Sequence, residues 1–88
     1  MFEFDPEKSA ANLAKHGIDF EAAQALWRDD FRLVVDTQYV AEERQLVMGK
    51  VGDKHWTAVI TPRGGDVRII SVRRSRDNEV SAYDAQND

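Results

Sequence analysis

The spacing of apolar and polar positions changes character once along the chain. It follows a helical period through the first thirty residues and alternates as strands do from Phe31 onward. Asp5-Pro6 opens the first helix, because Asp caps free amides and Pro is tolerated at the first helical position. The helix runs through EKSAANLAKH with Ala10, Leu13 and Ala14 on one apolar stripe, and Gly17 ends it. Asp19 is placed to cap a second helix, FEAAQALW, in which Phe20, Ala23, Leu26 and Trp27 recur at helical spacing. Runs rich in Val, Ile and Thr then predict strands near 32–37, 43–51, 54–61 and 66–74. Gly52-Asp53 suits a tight hairpin, and Pro62-Arg63-Gly64-Gly65 a second turn. A short last helix, capped by Ser75 or Asp77, reaches about Tyr83, and residues 85–88 form a frayed tail after a single domain over 1–84. This order predicts an α+β domain: two N-terminal helices and a C-terminal one, packed on one face of an antiparallel four-stranded sheet.

Length and composition narrow the function classes. Eighty-eight residues make one small domain, and 42% hydrophobic residues supply one core. The longest apolar stretches (LVV, LVM, TAVI) are far short of the roughly 20 residues that span a bilayer, and MFEFDPEK has neither a basic start nor an apolar signal core. A soluble, cytoplasmic protein without membrane contact is expected. The absence of cysteine excludes disulfides, a thiol nucleophile and cysteine-based zinc or iron–sulfur sites; no cofactor and no metal are expected.

The net charge of −4 argues against a nucleic-acid partner until it is resolved along the chain. Residues 1–30 hold seven acids against three bases, residues 31–60 four of each, and residues 77–88 four acids and no base. Residues 61–76 hold Arg63, Arg68, Arg73, Arg74 and Arg76 against Asp66 alone. A phosphate backbone responds to such a local field rather than to the total, and guanidinium forks bind phosphate oxygens in pairs. In an ideal strand DVRIISVRR, Val67, Ile69, Ser71 and Arg73 point one way and Arg68, Ile70, Val72 and Arg74 the other. Arg68 and Arg73 therefore share a site only if the strand twists or a bulge intervenes.

Three stretches together resemble a known family: FEFDPEKSAANLAKHGIDFEAA, the central EERQLVMG, and TPRGGDVRIISVRR followed by Glu79 and Tyr83. Their DPxKxxxNxxKHG and RIISxR runs are similar to those of the BrnT toxins of bacterial type II toxin–antitoxin systems, from Phe2 to about Asp84. The resemblance implies a RelE-like fold and a ribonuclease that arrests growth until its antitoxin neutralises it. That partner would be a BrnA-like ribbon-helix-helix protein, joined with the toxin in a heterotetramer that represses its own promoter through operator DNA. The chain departs from the family at Ser75-Arg76, where a helix-capping threonine is usual, at Val80, usually basic, and at Ile60, usually aromatic.

Metal-independent RNA cleavage needs a base for the ribose 2'-hydroxyl, a cation for the pentavalent phosphate and an acid for the departing 5' oxygen. Arg63, Arg68 and Arg73 are the candidates for charge stabilisation, Arg68 having the further reading of a pair with a helix acid. For the base, Glu42 and Glu43 are available, and the EER match points to Glu43 and Arg44. His16, with Lys15, also suits proton transfer, although cations in a last helical turn equally complement the helix dipole. Arg74 and Arg76 are candidates for binding RNA, and Tyr83 for stacking on a base or donating a proton, while Tyr83, Trp27 and Trp56 equally suit core positions. The antitoxin is expected to set acidic or apolar residues over the arginine block. The alternative function is an inactive RelE-like subunit that only completes a repressor complex.

Overall fold

Asp5, Pro6 and Gly17 act as their chemistry predicts. In the computed structural model, which describes residues 1–37 and 43–87, helix α1 spans Pro6–His16. The Asp5 carboxylate accepts from the Glu7 amide at 2.8 Å, and Gly17, at φ +84°, donates its N–H to Leu13 O at 2.9 Å. The buried face of α1, however, is not the stripe of Ala10, Leu13 and Ala14. Those residues are exposed, Leu13 by 49%, and Ser9 and Asn12 are buried in their place.

The reason lies in what α1 packs against. Strand β5 (Asp66–Arg74) is paired on one side by a two-residue strand, β1 (Phe2–Glu3), which covers only Val67 and Arg68. Beyond it the edge of β5 would expose the backbone of Val72. Asn12 supplies both missing partners: its amide donates to Val72 O (2.9 Å) and Ile18 O (2.8 Å), and its oxygen accepts from Val72 N (3.2 Å). Ser9 Oγ likewise accepts from the Phe20 amide at 2.9 Å. An apolar stripe here would leave buried backbone groups unpaired, which costs more than the burial of Leu13 returns. Replacing Asn12 by Ala is expected to lower stability by about 2–4 kcal/mol, the sum of lost bonds and orphaned groups. Chemical denaturation checks this, and a loss below about 0.5 kcal/mol would contradict the clamp.

The second helix is shorter and tighter than its spacing predicts: a 3-10 helix over Ala22–Arg28, entered through Asp19, whose carboxylate accepts from the Ala22 amide at 2.8 Å. Its core residues are as expected, with Phe20, Ala23 and Leu26 buried, while Trp27 is half-buried edge-on to Phe2 at 4.8 Å. Among the described residues the strands form one five-stranded sheet in the order β1-β5-β4-β3-β2, where β2 is Leu33–Asp36, β3 Gln45–Val51 and β4 Lys54–Arg63. The four expected strands pair antiparallel, and the parallel β1 is the addition. The 3-10 helix lies so close to β3 that a Cβ on Gly49 would stand 3.2 Å from both Leu26 and Asp29.

Helix α2 spans Asp77–Gln86, past Tyr83 and into the segment expected to fray, with Gln86 Nε2 donating to Phe31 O at 2.5 Å. Its N-cap is Arg76, neither Ser75 nor Asp77. The Glu79 carboxylate accepts from the Arg76 amide at 2.8 Å, the reach-back half of a capping box. The helices do not share one face of the sheet. Phe20 and Leu26 pack with Ala58 and Val72, whereas α2 bonds through Glu79 to Thr57 and Arg73, whose side chains project from the other face. No helix of the described residues is long and apolar enough to cross a membrane.

Candidate functional site

The faces of β5 follow from its pairing with β4. Val72 pairs with Ala58 and Ile69 with Ile60, all four buried on the core side. Between those pairs the register steps from Val59↔Ser71 to Ile60↔Ile69, so Ile70 has no partner and β5 bulges. The extra residue reverses the alternation. Arg68, opposite Thr61, and Arg73, opposite Thr57, now project from the same face, away from the core, and Arg63, opposite Asp66, belongs to that face too. Arg74, opposite Trp56, falls on the core side, its guanidinium 5.5 Å from the Trp56 ring centre. Of the five arginines in the block, three thus project from the open face, Arg74 is turned away, and Arg76 lies outside the strand at the start of α2.

The three differ in how they are held. Arg73 is forked onto Glu79, with Nη1 to Oε1 at 2.7 Å and Nη2 to Oε2 at 2.8 Å. Glu79 is only 6% exposed and also accepts from Thr57 Oγ1 at 3.1 Å, while Thr57 and Ser75 share a hydrogen bond of 2.8 Å. The Arg73 fork is the main reason the Glu79 pKa falls to about 2: burial opposes the charge, and the Arg76 amide and Thr57 add to the pull. Glu79 in turn raises the pKa of Arg73. Arg68 is held loosely, Nη1 lying 3.6 Å from Glu3 Oε1 with both side chains about one-third exposed. Its partner is the acid directly opposite on β1, not a helix acid as read from the sequence. Arg63 is exposed at the end of β4.

The remaining candidates lie around this face. Glu43 is exposed just ahead of β3, at the end of the sheet where Arg63 and Arg68 stand; Glu42 is outside the described residues. Lys15 is exposed and His16 half-buried in the last turn of α1, beside the β5 edge that Asn12 occupies. Arg76 is exposed at the start of α2. Tyr83 is buried, edge-on to His55 at 5.3 Å, with its hydroxyl donating to Asp29 Oδ2 at 2.6 Å. Burial and the Asp29 carboxylate push its pKa up to about 12. Burial works against the Asp29 charge, yet bonds from Tyr83 and from the Lys50 and Phe31 amides hold its pKa below the ordinary value. A shallow depression of about 430 Å³ at this end, lined by Arg28, Phe31, Lys50 and Tyr83 among others, includes none of Arg63, Arg68 and Arg73.

Sequence reasoning missed Glu79 and Asp29 as hubs. Glu79 had only half a signal: it stands three residues after Arg76 as in a capping box, but arginine is not a residue that pattern marks as a cap. Asp29 had none, since its partners Tyr83, Lys50 and Phe31 converge only through the tertiary fold. Among the described residues no group of three His, Asp or Glu side chains is placed to hold a metal ion.

Arg63, Arg68 and Arg73 thus project from one face of a small α+β sheet. The family to which this fold and face belong is given by the sequence itself. Residues 4–79 match the family model of the BrnT ribonuclease toxins of type II toxin–antitoxin systems, and the chain belongs to that family. It is accordingly a toxin with ribonuclease character whose system includes an antitoxin. A comparison with curated proteins returned no match.

Proposed function

We propose that the protein cleaves RNA without a metal ion, by attack of a ribose 2'-hydroxyl on the adjacent phosphorus, on the sheet face that carries Arg63, Arg68 and Arg73. The observation that carries this reading is the bulge at Ile70, which turns Arg68 and Arg73 to one side. Arg68 and Arg63 grip the scissile phosphate and neutralise the charge that grows on its oxygens, where fixed donors are worth most. Arg73, already forked to Glu79, fixes the field at the inner end of the face and presents its remaining edge to the substrate. Glu43 takes the 2'-hydroxyl proton at the outer end. Lys15 complements the α1 dipole and adds positive charge at the rim, with His16 beside it as a second candidate for proton transfer. Arg76 contacts a flanking phosphate, Arg74, turned to the Trp56 side, does not, and Tyr83 anchors α2 rather than stacking on a base.

The fold is read as RelE-like and the compartment as the cytoplasm. The antitoxin is read as a ribbon-helix-helix protein of the BrnA kind, forming a heterotetramer with the toxin and repressing their promoter. It neutralises by laying acidic or apolar residues over the arginine face. Incubating the folded chain with single-stranded RNA in EDTA tests the reaction: cleavage to products with 2',3'-cyclic phosphate and 5'-hydroxyl ends is expected. Intact RNA in the presence of folded protein would overturn the metal-independent mechanism.

A further inference from the structure

The two edges of the sheet are treated differently. The β5 edge is paired by β1 at Val67 and Arg68 and bonded by Asn12 at Val72. At the other end of the sheet order lies β2, and among the described residues nothing pairs with its outer side. Phe31, Val34 and Val35 are 61%, 48% and 38% exposed there. Proteins blunt such an edge with a very short strand, charges, proline or a bulge; β2 is four residues long and ends in Asp36, but no lysine, proline or bulge interrupts it.

Which backbone groups face outward follows from the ladder. The Thr37 amide donates to Arg44 O at 3.0 Å, so this pair is hydrogen-bonded. Antiparallel pairs alternate, so Val35 and Leu33 also turn their amides and carbonyls to β3, while Val34 and Asp36 turn theirs to solvent. The side chains along this edge form a pattern of their own. Arg32-Leu33-Val34-Val35-Asp36 is self-complementary about Val34 when laid antiparallel on itself: Arg meets Asp, Leu meets Val, and Val34 meets Val34.

We propose that β2 pairs with β2 of a second copy of the chain, antiparallel about a twofold axis at Val34, joining two sheets into one. The two Val34 residues exchange both N–H···O bonds, and each Asp36 amide donates to the Arg32 carbonyl of the second copy. Arg32 and Asp36 of the second copy stand directly opposite on one face, the spacing at which unlike charges attract. Arg32 is available for this: its present bonds are to the neutral carbonyls of Trp27 and Asp29, each at 3.3 Å and exposed. Asp36 uses Oδ1 for Gln45 Nε2 at 2.9 Å, and Oδ2 is left to face Arg32. Other axes that match outward groups are poorer. Centring on Leu33 sets Asp30 against Asp36, and centring on Val35 sets Asp36 against Val34. An isologous contact of this kind closes after two copies, so it gives dimers and not fibres. It is also short, which makes the dimer weak and concentration-dependent.

The chain has no cysteine, so single-cysteine variants read the register directly. Directly opposed residues of a hydrogen-bonded pair stand about 5.5 Å apart at Cα, within disulfide range. Under mild oxidation of the full-length chain, Val34→Cys is expected to form a covalent dimer in high yield. Val35→Cys, and Leu13→Cys on exposed α1, are expected to remain monomeric. Adding Arg32→Glu or Asp36→Arg to Val34→Cys should each cut the dimer yield about fivefold or more, since like charges then oppose across the strands. Combining the two restores it. A folded Val34→Cys chain that stays monomeric, crosslinking of Val35→Cys at a similar yield, or a double reversal that fails to recover would each overturn the pairing. So would antitoxin-dependent protection of the Val34 amide in a complex whose Val34→Cys toxins do not crosslink, since a segment of the antitoxin would then occupy the edge.

Discussion

Replacing Arg68 by alanine should lower RNA cleavage by about 100- to 1000-fold while leaving the melting temperature nearly unchanged. The rate loss is that of one preorganised charge donor removed from a developing oxyanion, about 3–4 kcal/mol. The small stability effect follows from the looseness of its ion pair with Glu3: the two side chains are about one-third exposed and 3.6 Å apart, and a surface pair of this kind is worth about 1 kcal/mol or less. Arg68→Lys keeps the charge and loses the fork, so it should fall between wild type and alanine. Glu3→Ala should leave cleavage intact, because it removes a competitor for the guanidinium rather than a contact with phosphate. Single-turnover cleavage at saturating enzyme isolates the chemical step. Arg68→Ala within about threefold of wild type, with its fold intact, would remove Arg68 from the site and turn attention to Arg63.

That prediction rests on a feature invisible in an ideal strand. Local chemistry was legible from the residues alone: Asp5, Pro6 and Gly17 bound α1, and Gly52 and Gly64 take the positive φ values, 65° and 61°, that their turns require. The four long strands were legible as well, because alternation is a short-range pattern. What could not be read depends on groups far apart in the chain. Asn12 outcompetes Leu13 for the buried face because Val72, 60 residues away, presents an unpaired edge. Strand β1 is two residues long and carries no period. The bulge at Ile70 arises from the match of β5 to β4, and a single strand cannot announce it. The arginine block was legible as a run of residues, while its division between the open face and the Trp56 side needed the register.

Glu79 is expected to dominate the stability of the protein in acid. Its pKa of about 2 in the folded chain lies below the ordinary 4.5, so the folded state holds its proton less tightly than the unfolded state does. The contribution is therefore complete above about pH 4.5, falls as the pH drops, and is gone near pH 2. A depression of this size corresponds to about 3 kcal/mol, a large part of the 5–15 kcal/mol that holds a typical domain together. Asp29, with its pKa also lowered, steepens the same acid limb. Glu79→Ala should cost about 3–5 kcal/mol at neutral pH, since it strands the Arg73 guanidinium in a largely buried position. Glu79→Gln preserves the shape and removes the titration, so the stability gap between it and wild type should close steadily from pH 5 to pH 2. Parallel acid profiles for the two proteins would show that Glu79 does not carry the linkage. The same variant tests how α2 is tied to the site: Arg73, Thr57 and the Arg76 amide all converge on this carboxylate, so loosening it frees Arg73 and the first turn of α2 together. Amide exchange at residues 77–80 should rise in Glu79→Gln, while exchange at Val72, held by Asn12, stays at its wild-type rate.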